Sequence, residues 1–245
     1  MSKSLFSVTD HFIFGFGDKT TTFEDLSKRF PLLSWAQLKQ THSDIIVESA
    51  SATASAENLE RPLIEADAHF TTTPNLGLVV KTADCVPVLI ACESVTLPRA
   101  VCAIHAGWRG VRSGIVSKSV RLLLEKGYAP TKMKVMIGPH IRQESFDVGL
   151  DVAQDLFAAA KAAGLTDPSS VVFSHPEDSS KRKIDLESIV RQQLVKFQVP
   201  TDRIETFPVD TMSSHDWSSY RRDSGKAGRN LSFVAINGVG SSAKK

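Results

Sequence analysis

The chain reads as an α/β (α+β) protein, a single domain of mixed β-sheets with flanking helices. Three observations predict this. Apolar, β-rich runs alternate with helical segments through the middle of the chain. No shift in composition and no low-complexity linker divides it. Its 245 residues, 42% of them hydrophobic, are ample for one buried core. The expected domain spans residues 1–245.

The elements follow in order. Residues 76–82 and 86–91 are continuous apolar runs, the pattern of strands buried on both faces. Residues 100–104 form another. Over 111–126, Ile115, Val116, Val120, Leu122 and Leu123 recur at helical spacing, and Gly127 stops the helix. Residues 134–137 return as a strand that ends at Gly138-Pro139. The alanine-rich stretch 152–163 is helical, with Gly164 as its stop. Residues 171–174 are a short strand. Asp185 caps a helix over 186–197. Residues 203–209 and 231–236 are late strands. The Ala/Ser-rich piece 49–56 reads as a surface loop and 241–245 as a frayed tail.

Composition excludes several classes. A formal net charge of +2 is too weak a bias for a nucleic-acid or membrane-surface protein. The cluster Lys181-Arg182-Lys183 reads as solvated surface. Three cysteines, Cys85, Cys92 and Cys102, do not make a disulfide framework and fit a reducing compartment. The N-terminus lacks a sustained apolar core, so no signal peptide is read. The longest strongly apolar stretch, 86–92, is too short to span a bilayer. A cytoplasmic protein is expected.

Three segments interrupt the apolar strands with chemically capable residues: Gln40-Thr41-His42-Ser43-Asp44, Lys81-Thr82-Ala83-Asp84-Cys85-Val86-Pro87 and His105-Ala106-Gly107-Trp108-Arg109-Gly110. Cys92 and Cys102 lie inside apolar runs, as most free cysteines do. Cys85 follows a carboxylate at a strand break, and a buried carboxylate is costly unless paired or functional. His105 ends a strand, and the glycines after it allow a tight turn and a helix N-terminus beside Arg109 and Arg112, a pocket suited to an anion. An ordinary strand-to-helix turn with a solvated arginine has the same spacing. His42 carries little meaning alone. With Cys85 and His105 it completes an N/N/S donor set appropriate to zinc, with a fourth position open. Residues 137–149, with His140 and Asp147, and the basic loop 219–229, with Arg221 and Arg222, are weaker candidates. The loop reads either as a flap over a substrate or as a solvated hairpin connection.

Taken together, QTHSD at 40–44, ADAHFTTTPNLGLVVKTADCVPVL at 66–89, AIHAGWRG at 103–110, IGPHIRQESFDVG at 137–149 and SYRRDSGKAGR at 219–229 resemble the YfiH family, also called laccase-domain or polyphenol-oxidase-like proteins. Its members include bacterial purine nucleoside phosphorylases and the peptidoglycan editing factor. The resemblance implies a metal held by His42, Cys85 and His105, zinc or alternatively copper, and action on purine nucleosides with phosphate. The implied reactions are phosphorolysis of adenosine, inosine and methylthioadenosine, with adenosine deamination beside them. The expected catalytic residues are Asp84, Cys85 and His105. The expected substrate contacts are Gln40, Gly107, Arg109 and Arg222. The chain departs from the family pattern where Glu144-Ser145-Phe146-Asp147 replaces an aromatic-cysteine piece, where Asp210-Thr211 replaces Cys-Thr, and where 14–30 replaces a longer Gly- and Asn-rich segment. Three other functions stand beside the phosphorylase: a Cys-His hydrolase editing peptidoglycan precursors, a copper polyphenol oxidase, and a non-catalytic module with a closed metal site. The oxidase reading wants a histidine-rich copper cluster, and the seven histidines here are scattered singly. His69, His140 and His175 are the candidates for a fourth ligand in a closed site.

Overall fold

The computed structural model describes residues 4–53 and 63–238. Part of the expected 49–56 loop and all of the 241–245 tail lie outside the described residues. Two sheets carry the fold. The first runs β1-β2-β14-β6-β3, built from β1 (Leu5–Val8), β2 (Phe12–Phe16), β3 (Ser34–Ala36), β6 (Leu76–Thr82) and β14 (Asn230–Ile236). The second runs β13-β9-β7-β8-β5-β4, built from β4 (Ile46–Glu48), β5 (Ala68–Thr71), β7 (Val86–Cys92), β8 (Ala100–Ala106), β9 (Met133–Ile137) and β13 (Ile204–Thr206). Both mix parallel and antiparallel pairs. A small antiparallel sheet, β10-β12-β11, joins β10 (Asp147–Gly149), β11 (Val172–Ser174) and β12 (Lys181–Ile184). The expected α/β class with mixed sheets is what the chain adopts.

The continuous apolar runs follow from burial on both sides. In β7, Leu89 and Ala91 meet Phe14, Phe16, Leu78 and Val234 of the first sheet. The alternate residues Val88 and Ile90 face the helices, among Ile115, Val120, Leu123, Ile189 and Leu194. Side chains alternate along a strand, so a strand with two covered faces needs apolar residues at every position. The helices on that outer face are α2 (Trp108–Arg112), α3 (Ile115–Glu125), α4 (Leu150–Ala162) and α5 (Leu186–Val195). On the far side of the first sheet, α1 (Phe23–Arg29) places Leu26 against Trp35 and Phe233.

Several elements differ from the sequence reading. The single helix over 111–126 is two helices, because Gly114 takes a left-handed φ of 77° that turns the chain between α2 and α3. The strand over 203–209 is paired only at Ile204–Thr206, where it runs parallel to β9. Pro208 follows and has no N–H to offer a ladder. Lys181-Arg182-Lys183 is part of β12, and Lys183 reaches Asp147 at 2.8 Å. The 219–229 segment is more than a plain hairpin connection, and its Tyr220, Arg221 and Arg229 line the pocket. It forms the short helix α6 (Tyr220–Asp223) capped by Ser219, which accepts from the Arg222 N–H. Asp185 caps α5 as expected, accepting from Ser188 N at 3.0 Å. No helix among the described residues is long and apolar enough to cross a membrane.

Candidate metal centre and its pocket

The site lies where the chain passes from one sheet to the other. β6 ends in the first sheet at Thr82 and β7 begins in the second at Val86, so Ala83, Asp84 and Cys85 bridge the two. Asp84 makes the turn with a left-handed φ of 87°. The β7–β8 register sets Pro87 against His105 and Val86 against Ala106, which brings the end of β8 beside Cys85. His42 arrives on an irregular segment after β3, also with positive φ, 60°.

The three side chains meet. One donor atom from each of His42, Cys85 and His105 lies within 4.8 Å of the others. Cys85 Sγ is 3.8 Å from His42 Nε2, and the two imidazoles stand edge to face with centroids 4.9 Å apart. Gly107, the N-cap of α2, packs directly on this group. A Cβ there would fall 2.9 Å from His42 Cδ2 and 3.1 Å from Cys85 Sγ. The residues thus fit a thiolate- and imidazole-binding ion: two nitrogens and one sulfur converge without a mineral-type oxygen shell. The possible His-Cys-His metal site is that of the sequence reading. His69, His140 and His175 are not part of the group. His69 Nδ1 lies 3.1 Å from Ser49 Oγ, His140 Nδ1 lies 2.8 Å from Gly138 O, and His175 Nδ1 accepts from Asp178 N at 2.9 Å.

The residue that organises this arrangement is one the sequence reading passed over. Asp67, fully buried just before β5, presents one carboxylate to two of the three donor segments. Its Oδ1 accepts from His105 Nδ1 at 2.7 Å and from His42 N at 3.1 Å. Its Oδ2 accepts from Ser43 N and Ser43 Oγ, both at 2.6 Å, and from Thr41 N at 3.1 Å. The Nδ1 bond leaves His105 Nε2 for the donor group. A signal was available: Asp67 sits between alanines at the mouth of an apolar strand, the same costly placement that marked Asp84.

Charge coupling follows this geometry. Burial alone would raise the Cys85 thiol, but the imidazolium of His105 and the His42 ring reverse this and lower it from 9.0 to about 6. Burial opposes the charge on His105, and the Cys85 thiolate and Asp67 carboxylate overcome it, raising its pKa to about 9. Burial also works against ionised Asp67, yet the bonds from His105 and Ser43 hold it well below the ordinary range. Cys92 and Cys102 behave oppositely: burial pushes both up, Cys102 to about 12, as befits core thiols.

The centre opens into a pocket of about 800 Å³. Gln40 lines it, but its amide is spent clamping β6, donating to Lys81 O and accepting from Lys81 N at 2.8 Å each. Asp84 also faces the pocket, with Oδ1 accepting from Thr211 Oγ1 at 2.7 Å and Oδ2 from Arg221 N at 2.6 Å. The Asp210-Thr211 departure is therefore wired into the site. Thr211 holds Asp84, while Asp210 accepts from Ser145 Oγ at 2.5 Å, which joins it to the other departure. Arg109 lies on the wall with its guanidinium 4.4 Å from the Trp108 ring centroid. Two expected anion contacts are corrected. Arg112 pairs with Asp155 at 2.8 Å, outside the lining residues. Arg222 does not line the pocket: its guanidinium donates to the carbonyls of Thr211, Met212, Ser214 and Trp217 and pairs with Asp223, so it braces the loop from behind. Its neighbour Arg221, with Lys81, Arg229, Phe146 and Tyr220, faces the pocket instead.

Comparison with known proteins accords with this architecture. A Bacillus licheniformis protein, described as hypothetical protein YfiH, superposes with a TM-score of 0.79 at 24% identity, covering 92% of this chain and 93% of its own. YlmD from Geobacillus stearothermophilus gives 0.75 at 22%, covering 92% of each chain. These likenesses concern the fold. In sequence, a Bacteroides thetaiotaomicron protein named purine nucleoside phosphorylase is 34% identical over 81% of this chain and 72% of its own length. A Clostridium acetobutylicum protein of the same name is 30% identical over 80% and 75%. The family model described as multi-copper polyphenol oxidoreductase laccase matches residues 21–237, and the chain belongs to that family, with YfiH among its structural neighbours.

Proposed function

We propose that the chain is a zinc-dependent purine nucleoside phosphorylase acting on adenosine, inosine and methylthioadenosine, with adenosine deamination as a second activity of the same centre. The observation that carries this reading is the convergence of His42, Cys85 and His105 at one wall of a pocket large enough for a nucleoside. Relatives named for that activity support it.

In phosphorolysis the bond from the ribose carbon to the base breaks, a bond from that carbon to a phosphate oxygen forms, and the departing base takes a proton. His42, Cys85 and His105 would hold the ion, which would supply Lewis acidity there. Asp67 keeps His105 in one tautomer. Asp84, fixed by Thr211 and the Arg221 N–H, is the carboxylate we assign to carrying a proton to or from the base. Arg109 supplies a guanidinium to an anionic substrate, and Trp108, Phe146 and Tyr220 give the base apolar walls. Phosphate-dependent release of adenine from adenosine by the purified, metal-loaded protein tests the reading. No turnover across a nucleoside panel would sink it.

The lowered Cys85 thiol supports a second reading, in which it is a nucleophile and His105 or His42 its base, in a hydrolase acting on cell-wall precursors. A trapped acyl-enzyme on Cys85 would establish that reading over the first.

A further inference from the structure

Four lysine and arginine side chains face the pocket: Lys81, Arg109, Arg221 and Arg229. Its two carboxylates are already matched. Asp84 is taken by Thr211 and the Arg221 N–H, and Asp147 by Lys183 at 2.8 Å, with His175 at 3.6 Å.

Lys81 and Arg229 form a pair by backbone register. β14 and β6 align Leu231 with Lys81 and Asn230 with Thr82. Arg229, which comes directly before β14, is thereby carried next to the Lys81 end of β6, and both line the pocket. Like charges so placed repel. Among the described residues neither has a carboxylate partner. The Lys81 ammonium lies 5.4 Å from the Phe23 ring centroid and has no hydrogen-bond acceptor among them. Arg229 Nη1 is tied to the carbonyls of Ala227 and Gly228 at 3.0 and 2.8 Å, which leaves its other donors open. Burial, and then the charge of Arg229, lower the Lys81 pKa. The Gln40 clamp holds Lys81 against the segment that carries His42, so this pair shares the pocket with the metal centre. Two like charges kept together at a pocket wall without a counter-charge are best balanced by an anion from solution, and a doubly charged oxyanion suits a point charge beside a forked guanidinium.

We propose that Lys81 and Arg229 form an oxyanion subsite that takes inorganic phosphate. Its use as a co-substrate rests on the phosphorylase reading; its binding does not. The experiment is calorimetric titration of inorganic phosphate into metal-loaded wild type, Lys81→Met, Arg229→Gln and the exposed control Lys28→Met, with metal content and the KM values for phosphate and nucleoside measured in parallel. Each pocket variant is expected to weaken phosphate binding about tenfold or more, as loss of a charged hydrogen bond implies, and to raise the phosphate KM in step. Metal content, the nucleoside KM and the Lys28→Met titration stay as in wild type. Unchanged phosphate affinity in both pocket variants overturns the subsite. So does a nucleoside 5′-monophosphate that binds through Lys81 and Arg229 when free phosphate does not bind. Phosphate binding that depends on the pair, without nucleoside cleavage, keeps the subsite and removes the phosphorylase reading.

Discussion

Replacing Asp67 by asparagine tests the architecture of the centre most directly. The carboxylate accepts six hydrogen bonds, two on Oδ1 and four on Oδ2. An amide offers one oxygen and one NH2 group. Whichever way it is placed, at least two buried donors face another donor. An unsatisfied buried group costs about 1–3 kcal/mol, and breaking a buried ion pair costs about 3–5 kcal/mol, so we expect Asp67→Asn to lose about 3–5 kcal/mol. Denaturant unfolding of the metal-free protein should show it as a lower midpoint at unchanged slope. The pH dependence has a definite sign. The folded-state pKa of Asp67 lies below its ordinary 3.8. The wild-type advantage is therefore full above that value and shrinks as pH falls through the lower, folded one. Metal affinity should fall about 10- to 100-fold as the imidazole of His105 loses its anchor. It can be followed by cobalt absorption at the thiolate, with Ser43→Ala as a milder variant that removes one donor and leaves the ion pair. A stability within about 1 kcal/mol of wild type, with cobalt affinity unmoved, would refute the claim that this carboxylate organises two of the three donor segments.

Three further outcomes are expected. Gly107→Ala should weaken metal binding while the fold persists, because the new Cβ falls 2.9 Å from His42 and 3.1 Å from Cys85; equilibrium dialysis measures it. Arg222→Lys should cost about 2–3 kcal/mol of stability through loss of its fork of carbonyl bonds, with little change in nucleoside KM, since the side chain braces the loop and does not line the pocket. In metal-free protein the Cys85 thiol, lowered to about 6, should be alkylated half-maximally near that pH. Reactivity is present above it and lost below, and bound zinc should suppress it.

The parts of the fold written as local pattern were legible. β6, β7, β8 and β14 are apolar at nearly every position because both of their faces are covered, and such runs announce themselves. The short edge strands were not. Ser34–Ala36, Ile46–Glu48 and Asp147–Gly149 have three residues each, too few for a period, and their pairing partners supply what their own sequence does not. At the site, Asp84 and Cys85 were visible because polar residues broke a buried run. His42 was not, since a histidine in an irregular loop carries no local signal and the family resemblance alone raised it. Arg221 and Arg222 differ in placement in a way that composition does not distinguish. One faces the pocket and the other turns its guanidinium into the carbonyls behind it.

The tie between Asp67 and the two histidines also bears on what kind of site this is. A closed structural site needs a fourth protein ligand, and none of His69, His140 and His175 joins the donor group among the described residues. Instead, the protein holds His105 and the His42 loop through one carboxylate, fixes Asp84 through Thr211 and a backbone N–H, and places Lys81 and Arg229 along the same pocket without a carboxylate partner among the described residues. Each of these placements costs stability that a purely structural ion would not require: a buried carboxylate, a left-handed Asp84, and like charges set together on one pocket wall. Such costs concentrate where a site must meet a charged ligand in a fixed geometry, which is why the open, three-donor arrangement favours catalysis over a binding module.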